Sequence, residues 1–403
     1  TPAVVAQHLP SGPLIITAWI AGALIAYAGA LTFAELGTRF PEAGGHYVYL
    51  RNAFGKLPAF LYGWMLLLII ATGALASLAL AFAHYVSAFI PMSDVVQRLL
   101  GAATIVVLSI INILGVKPGA RTTTALTVIK VAGLGTLIVA GLLVPYNPAP
   151  FPLVQCDSIV KGFIAALVPI SFSYGGWQQL NFVAGEIKDT QRKIPAALAL
   201  GVGIVALIYV GANFVYLRAL GAGGMANSTA IAQAAAQNLF GGTATRLITV
   251  LITISILAFS NVVVMVTPRV FYALGQDGVF LRGLSALHPK YNTPVRAFVL
   301  QGGWAVVLVM IGNIGMLMNG VVFGDWIFFG LGAASLFVFR RRTQPDDVVP
   351  FKTPGYPIVP IFFILAAIMA VASAIGSYPK ESLLGLAMLG VGVLVYKFTQ
   401  SRG

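Results

Sequence analysis

Residues 171–182, SFSYGGWQQLNF, place polar residue types in the middle of an apolar run that is otherwise suited to cross a membrane. The adjacent Gly175 and Gly176 favour a break in the helix, and Pro169 removes a further backbone hydrogen bond upstream. Unwound backbone at membrane depth is tolerated only where it is buried in protein or lines a water-filled cavity. Its free carbonyl and N–H groups can bind a polar ligand there. The stretch therefore predicts a small-molecule binding site in a broken helix.

Close helix packing is the alternative explanation for the paired glycines, since small residues let two backbones approach each other. That explanation does not account for the polar residues beside them, which are Tyr174, Gln178, Gln179 and Asn181. Broken helices build the substrate sites of secondary transporters. The residue types therefore favour a binding site over a packing contact.

Lys130 is a charged residue inside another apolar run, nine residues from the predicted start of its span. Nine residues correspond to about 13 Å of helix rise, which is long for a lysine that reaches back to the membrane surface. A lysine near the bilayer centre costs about 2.5–3.5 kcal/mol on insertion scales. We expect its ammonium group to hold helices together through backbone carbonyls, as a bound sodium ion would. Snorkelling to the inner surface is the alternative.

Two acidic residues also lie within apolar runs. Asp325 has two interpretations. In the functional one it lines the outer pathway or carries a proton, and in the structural one it is a hydrogen-bonding acid beside a water-filled vestibule. Glu35 precedes Arg39 by four residues, a spacing and order that predict an ion pair along one helix.

Several other chemistries find no support in the sequence. The nucleophile motif G-x-S-x-G is absent, so an enzyme is not expected. The one cysteine, Cys156, cannot form an internal disulfide. The net charge of +13 comes from short basic clusters between apolar runs, so nucleic acid is not an expected partner. No cofactor or metal is expected, because no metal-ligand spacing connects the histidines, which are His8, His46, His84 and His288.

The elements that position these residues are predicted to be membrane helices. The sequence is 59% hydrophobic and only 9% charged, whereas soluble domains carry about 25% charged residues. Backbone N–H and C=O groups in lipid must form hydrogen bonds within their own segment, so we expect an all-α polytopic membrane protein. The predicted segments are a partial one at 1–9 and full ones at 13–37, 57–90, 97–115, 122–144, 162–186, 195–219, 243–276, 294–312, 316–339, 356–376 and 382–398.

The charge distribution supports this topology. If the connection after span 13–37 is placed on the cytoplasmic side of the membrane, 18 of the 24 Lys and Arg residues lie on that side and five lie on the outer side. Lys130 remains within a span. This bias is the one that the positive-inside rule predicts. Residues 220–242 are predicted to be an external loop with a short amphipathic helix. Gly22 and Gly29 are predicted to be sites of close helix packing.

Four stretches resemble the L-type amino acid transporter family of the amino acid–polyamine–organocation superfamily, and the resemblance covers nearly the whole chain. They are AELGTRFPEAGGHYVYLRNAFG (34–55), FSYGGWQQLNFVAGEIKDTQRKIPAAL (172–198), FSNVVVMVTPRVFYALGQDG (259–278) and RRRTQPDDVVPFKTPGYPIVPIFFI (340–364).

The resemblance implies a single leucine-transporter-like domain, residues 1–403, with twelve transmembrane helices. Helices one to five and six to ten of that fold are inverted repeats, and helices one and six are broken around the substrate. Residues 1–144 would be the remainder of the first repeat, 162–339 the second, and 356–398 the last two helices.

The resemblance also assigns roles to residues of the break. Phe172 would be an aromatic gate, and the backbone of Phe172 and Ser173 would accept hydrogen bonds from the substrate α-amine. Gly175 would leave room for the substrate side chain, which Trp177 and Gln178 would enclose. A glutamine at 178 replaces the asparagine common in animal members. The complete predicted site is Phe172, Ser173, Tyr174, Gly175, Gly176, Trp177 and Gln178.

Lys130 matches the lysine that stands in for a sodium site in sodium-independent members, with Ser255 or Ser260 as its implied partner. The first-helix motif that holds the substrate carboxylate would lie just before Thr1, so the sequence predicts a truncated first helix and a fragment of a longer protein. The loop IPMSDVV, where eukaryotic members often carry a cysteine for a glycoprotein partner, has none. We therefore expect no disulfide-linked heavy chain. The short loops are typical of a bacterial inner-membrane protein.

These observations together predict a sodium-independent transporter that exchanges neutral L-amino acids by alternating access. Proton-coupled uptake is an alternative, with Asp325 or Glu35 as the proton carrier. A non-transporting amino acid sensor is the alternative of a different class, although no soluble signalling domain is evident in the sequence.

Overall fold

The computed structural model describes residues 1–144, 158–344 and 349–400. For residues 116–123, 125, 126, 399 and 400 it describes the backbone alone. Helices are the regular secondary structure found in these residues. In chain order they are α1 (Pro2–His8), α2 (Gly12–Arg39), α3 (His46–Phe54), α4 (Lys56–Met65), a π-helical turn (Leu66–Ile70), α5 (Ala71–Ser87), α6 (Asp94–Ile113), α7 (Val116–Leu143), α8 (Ile159–Tyr174), a 3₁₀ helix (Trp177–Glu186), α9 (Thr190–Ala226), α10 (Ile231–Phe240), α11 (Gly242–Val266), α12 (Pro268–Gln276), a short 3₁₀ turn (Arg282–Ser285), α13 (Val295–Ile311), α14 (Ile314–Arg342), α15 (Ile358–Ser377) and α16 (Pro379–Gln400).

The predicted membrane spans are present as helices. Within the described ranges, nine helical segments are long and apolar enough to cross a membrane, and two shorter apolar helices, Thr127–Leu143 and Val295–Ile311, accompany them. Each of the eleven predicted full segments coincides with one of these. The all-α polytopic fold is thereby confirmed. Cys156 and residues 345–348 lie outside the described residues.

Three local features differ from the predictions or add to them. Helix α7 begins at Val116, six residues before the predicted start, which deepens the position of Lys130. The short helix expected within 220–242 is α10, and α9 continues to Ala226 past a positive φ of 67° at Gly221. Helix α3 was not predicted at all.

Two compact units make up the fold. Unit 1 contains residues 1–27, 124–175 and 200–255, and unit 2 contains 28–123, 176–199 and 256–403.

In unit 1, α1 packs against α8, and the first half of α2 approaches α8 at Gly22. A Cβ atom at Gly22 would lie 2.2 Å from Cγ2 of Ile170, so only glycine allows this approach. The prediction of close helix packing is confirmed at this position. The Arg218 guanidinium donates hydrogen bonds to carbonyls at the end of α7, including that of Gly141 at 3.0 Å.

In unit 2, helices α5, α6 and α13 and the second half of α11 enclose a core of apolar residues around Leu75, Ile105 and Phe298. One polar pair is buried within it, since the Asn112 side-chain amide donates to Oδ1 of Asn261 at 2.7 Å. Helix α14 packs against α15, α5, α3 and α16. These contacts position Asp325 and Phe329 of α14.

Candidate functional site

The predicted break after α8 is present. Tyr174 is the last residue of the helix, Gly175 is extended with φ −67° and ψ 167°, and Gly176 has φ 104°. A 3₁₀ helix then begins at Trp177. The Gly175 N–H donates to the Phe172 carbonyl at 3.2 Å, and the Gly176 N–H donates to Oε1 of Gln178 at 2.8 Å. The chain thus leaves helical geometry at the two glycines, and Gly176 is the one residue of 171–182 with a positive φ.

The unit 1 side of the break is fixed by a small aromatic cluster. The rings of Trp19, Tyr174 and Tyr209 lie 5.2–5.8 Å apart by their centroids. The Tyr174 hydroxyl donates to the Trp19 carbonyl at 3.2 Å, and the Ser173 hydroxyl donates to the Pro169 carbonyl at 3.2 Å. Both hydroxyls therefore already have partners in their own unit. Phe172 is half-buried, and Gly175 is exposed.

The unit 2 side of the break is fixed by a larger aromatic cluster. The Trp177 ring stacks on Phe329 of α14, with centroids 5.5 Å apart and an interplanar angle of 21°. It also lies edge-on to Phe33, with centroids 5.4 Å apart. A Cβ at Gly29 would lie 2.8 Å from the Trp177 ring, which confirms the second predicted packing glycine. Gln178 is buried, and its amide oxygen supports the backbone of the break.

Lys130 lies at the middle of α7. About 21 Å of helix rise separate it from Val116, compared with the rise of about 13 Å expected from the sequence. It is half-buried and makes no ion pair within the described residues. Ser255 is half-buried in the same unit. Ser260, in unit 2, is buried and its hydroxyl donates to the Ile256 carbonyl at 2.9 Å.

Asp325 is half-buried in α14, although Gly324 and Trp326 on either side are buried. It makes no ion pair or hydrogen bond with another described residue. On the neighbouring helix α4, Tyr62 stacks against His46 of α3, with centroids 5.4 Å apart. Burial lowers the pKa of His46 to about 3, so its imidazole is neutral near pH 7.

Glu35 is the centre of a buried ionic cluster. The predicted pair with Arg39 is confirmed, at 2.8 Å. Arg340, at the end of α14, forms a second ion pair with the carboxylate at 2.6 Å. The backbone N–H of Thr353 donates to the same carboxylate at 2.7 Å. Sequence reasoning missed these last two contacts, which join residues more than 300 positions apart.

Helix α3 is connected to α12 by a further polar cluster that the sequence did not reveal. The Tyr47 hydroxyl donates to Oδ2 of Asp277 at 2.6 Å, and Arg51 forms an ion pair with the same carboxylate. Burial, together with the adjacent Asp277, raises the pKa of Tyr47. The helical spacing of Tyr47, Leu50 and Phe54, at i, i+3 and i+7 in HYVYLRNAF, was the available signal for a helix here. No group of His, Cys, Asp and Glu in the described residues could hold a metal ion.

A chain of membrane helices with one span opened at paired glycines defines a polytopic carrier of the broken-helix type. The sequence profile described as "Amino acid permease" matches residues 1–393. The chain therefore belongs to the amino acid permease family, and it is a multi-pass protein of the cell membrane.

Named relatives support this assignment over nearly the full chain. The chain is 30% identical to the human cystine/glutamate transporter over 98% of its own length and 80% of that protein. It is 30% identical to the serine/threonine exchanger SteT of Bacillus subtilis (strain 168), over 97% and 90% of the two chains. It is 29% identical to the mouse b(0,+)-type amino acid transporter 1, over 98% and 82%. All three are named as transporters or exchangers, which fits a protein that is not an enzyme.

Proposed function

We propose that the protein exchanges neutral L-amino acids across the membrane by alternating access, without sodium. The observation that carries this proposal is the break at Gly175 and Gly176, where the backbone leaves the helix inside a segment suited to span the membrane. Backbone groups freed in this way bind the charged ends of an amino acid in carriers of this type. The names of the relatives support amino acids as the substrate class.

Within the break, we assign the α-amine to the carbonyls of Phe172 and Ser173. The Phe172 carbonyl accepts one hydrogen bond from Gly175, and a carbonyl oxygen has a second lone pair for a ligand. Phe172 would cover the substrate, and Gly175 would leave space for its side chain. The Tyr174 hydroxyl and the Gln178 amide oxygen are already bonded, so these two side chains would hold the break in shape rather than contact the substrate.

The helix order supports the repeat organisation that we propose. Helices α1, α2, α4–α5, α6 and α7 would form the first repeat, within residues 1–144. Helices α8, α9, α11–α12, α13 and α14 would form the inverted second repeat, within 162–339, and α15 and α16 would follow within 356–398. We also propose that no disulfide-linked partner is needed, because residues 88–93 between α5 and α6 contain no cysteine.

Counterflow tests exchange directly. Proteoliposomes loaded with unlabelled leucine should take up labelled leucine in sodium-free buffer at equal internal and external pH, whereas empty vesicles should take up little. Equal uptake into empty vesicles would contradict exchange. A requirement for sodium would contradict the assignment to Lys130. Binding without flux in any mode would indicate a sensor.

Replacement of Lys130 by alanine should leave substrate binding measurable but slow turnover by about tenfold or more. A lysine ammonium in the middle of the membrane costs about 2.5–3.5 kcal/mol. A role in the transport cycle would explain why the protein has a lysine at this position. Binding can be measured by ligand-induced thermal stabilisation and turnover by counterflow. A matched control is Lys161→Ala, at an exposed position near the start of α8. Wild-type turnover in Lys130→Ala would remove the proposed role.

Proton-coupled uptake is the second candidate, because Asp325 has no ion-pair partner among the described residues. Glu35 does not fit as the carrier, since two arginines and a backbone N–H hold it as a carboxylate. A pH gradient that drives leucine into empty vesicles would favour this candidate over exchange.

A further inference from the structure

We propose that His46 makes the docking of helix α3 sensitive to pH on the cytoplasmic side of the membrane. Helix α3 stays docked while the imidazole is neutral, and it is released when the imidazole binds a proton. Helix α3 lies in the connection after α2, which the positive-inside rule assigns to the cytoplasm. The release is a conformational change that needs no substrate, so it goes beyond the proposed function.

The His46 side chain is enclosed within unit 2. The residue is 1% exposed, and neither ring nitrogen has a hydrogen-bond partner among the described residues. The imidazole centroid lies 4.3 Å from that of Phe33 and 5.4 Å from those of Tyr62 and Phe329. A neutral imidazole has one N–H donor and one acceptor nitrogen, and burial leaves both without a partner here. Unsatisfied polar groups are rare in folded proteins, so this one points to a role beyond packing.

This site disfavours a protonated imidazole for two reasons. The surrounding rings replace water around the charge. His46 is also the first residue of α3, where the partial positive charge of the helix N-terminus repels a cation. Burial accordingly lowers the pKa of His46 to about 3, compared with an ordinary value of about 6.5.

No acidic group in the described residues compensates the charge of a protonated His46. Glu35 and Glu186 already pair with arginines, and Asp325 forms no ion pair with the imidazole within 4.0 Å. The titratable and charged groups on α3, on the unit 2 part of α2, on α4, on the 3₁₀ helix after the break and on α14 are Tyr47, Tyr49, Arg51, Glu35, Arg39, Lys56, Tyr62, Glu186, Asp325, Arg340, Arg341 and Arg342. A proton on His46 therefore requires the ring to leave its site.

Helix α3 is short enough to be released as a unit. It contains nine residues between Gly45, with φ 50°, and Gly55, with φ 90°. Isolated helices shorter than about 12–15 residues are marginal in water, so α3 depends on its contacts with the rest of unit 2. Its docking includes the hydrogen bond from the Gly44 N–H to the Phe182 carbonyl, at 3.1 Å. Once α3 is released, its backbone amides should exchange with solvent.

The sign of the pH dependence follows from the lowered pKa. The docked form excludes a proton, whereas the released form binds one near the ordinary pKa of about 6.5. Docking is therefore most favourable above about pH 6.5 and weakens as the pH falls from there towards the docked-state pKa of about 3. Between about pH 7.5 and about pH 5.5, the ratio of released to docked α3 should rise about tenfold.

The experiment measures hydrogen–deuterium exchange of the α3 amides in the detergent-purified full chain at these two pH values. The wild type is compared with His46→Phe at each pH, which cancels the intrinsic pH dependence of amide exchange. The ratio of the wild-type rate to the His46→Phe rate should rise about tenfold on acidification. His84→Gln, which removes an exposed histidine of α5, should behave as the wild type does. Amides of α10, a short helix of unit 1 without histidine, should show no such rise.

Three results would overturn the inference. A constant ratio would show that acid acts on α3 without His46, loss of the rise in His84→Gln would assign the effect to His84, and an equal rise in α10 would indicate general unfolding in acid. If His46→Phe does not fold, His46→Gln provides the same comparison with another neutral side chain. If neither variant folds, the wild-type exchange of α3 relative to α10 decides, since an unchanged ratio overturns the inference and a tenfold rise supports it. None of these measurements requires transport, so failure of the proposed function would leave the inference standing.

Discussion

Replacement of Glu35 by alanine should strongly destabilise the folded protein. The carboxylate is fully buried and joins α2 to the end of α14 through Arg340, and to the segment before α15 through the N–H of Thr353. Removing it leaves Arg39 and Arg340 largely buried without their common partner. Breaking a buried ion pair in this way costs about 3–5 kcal/mol. The measurement is the thermal midpoint of the detergent-purified protein. The readout is the loss of its monodisperse peak in size-exclusion chromatography after heating.

Glu42→Ala is the matched control, because it removes the same type of side chain from an exposed ion pair. Glu42 is 59% exposed and lies 3.4 Å from Arg51, and such surface pairs contribute about 0–1 kcal/mol. Its thermal midpoint should stay close to that of the wild type. Similar midpoints for Glu35→Ala and Glu42→Ala would contradict the proposed importance of the cluster.

A double replacement tests whether the cluster acts as a unit. Glu35→Ala combined with Arg340→Ala should lower the midpoint by less than the sum of the two single changes, since the second change removes a charge that the first left unpaired. Arg340 also stacks over Tyr356, with Cζ 3.8 Å from the ring centroid, so part of its own effect will remain. Strict additivity would show that the two residues stabilise the protein independently.

Replacement of Gly176 by alanine should abolish most of the exchange activity. At φ 104° an L-residue is strained, at a cost of about 1–3 kcal/mol. The added Cβ would also lie 3.2 Å from the Phe259 ring. Both effects should shift the backbone of the break, which is the part of the chain assigned to the substrate. Counterflow, normalised to the amount of folded protein, measures the loss.

Two further variants sharpen this test. Gly203→Ala, in α9, meets no atom within 4 Å and has ordinary helical geometry, so it should retain activity. Gly176→Ala combined with Phe259→Ala relieves the steric contact but not the backbone strain. Recovery in the double variant would assign the effect to Phe259, and continued loss would assign it to the conformation of Gly176. Full activity in Gly176→Ala itself would contradict the role of the break.

The membrane spans and the break could be predicted from sequence because each depends on local composition. Long apolar runs need only one another to form helices in lipid. Paired glycines weaken a helix, although Gly302 and Gly303 lie inside the unbroken helix α13, so the polar residues and Pro169 beside Gly175 and Gly176 were also needed to predict the break. Helix α3 is short and mixed in character, so its helical structure depends on contacts such as that of Tyr47 with Asp277. Glu35 pairs with Arg39 by local spacing, but the approach of Arg340 depends on how two distant helices end beside each other.

The predicted binding residues show the same division. The position of the break could be predicted, but the hydrogen-bond partners of the side chains around it could not. Gln178 was expected to face the substrate, whereas its amide oxygen accepts the N–H of Gly176 two residues earlier. Tyr174 similarly donates to Trp19, in a helix that precedes it by more than a hundred residues. Polar side chains beside an open backbone compete for that backbone, and sequence alone does not indicate which groups remain available.

The hydrogen bond from Gly176 to Gln178 has a consequence for affinity. Because the chain itself satisfies this amide, the open geometry does not depend on a ligand for its stability. The conformational entropy of forming the break is then lost during folding and not at each encounter with a solute. Such preorganisation allows a weakly bound solute to be captured and released rapidly, with little rearrangement of the backbone that meets it.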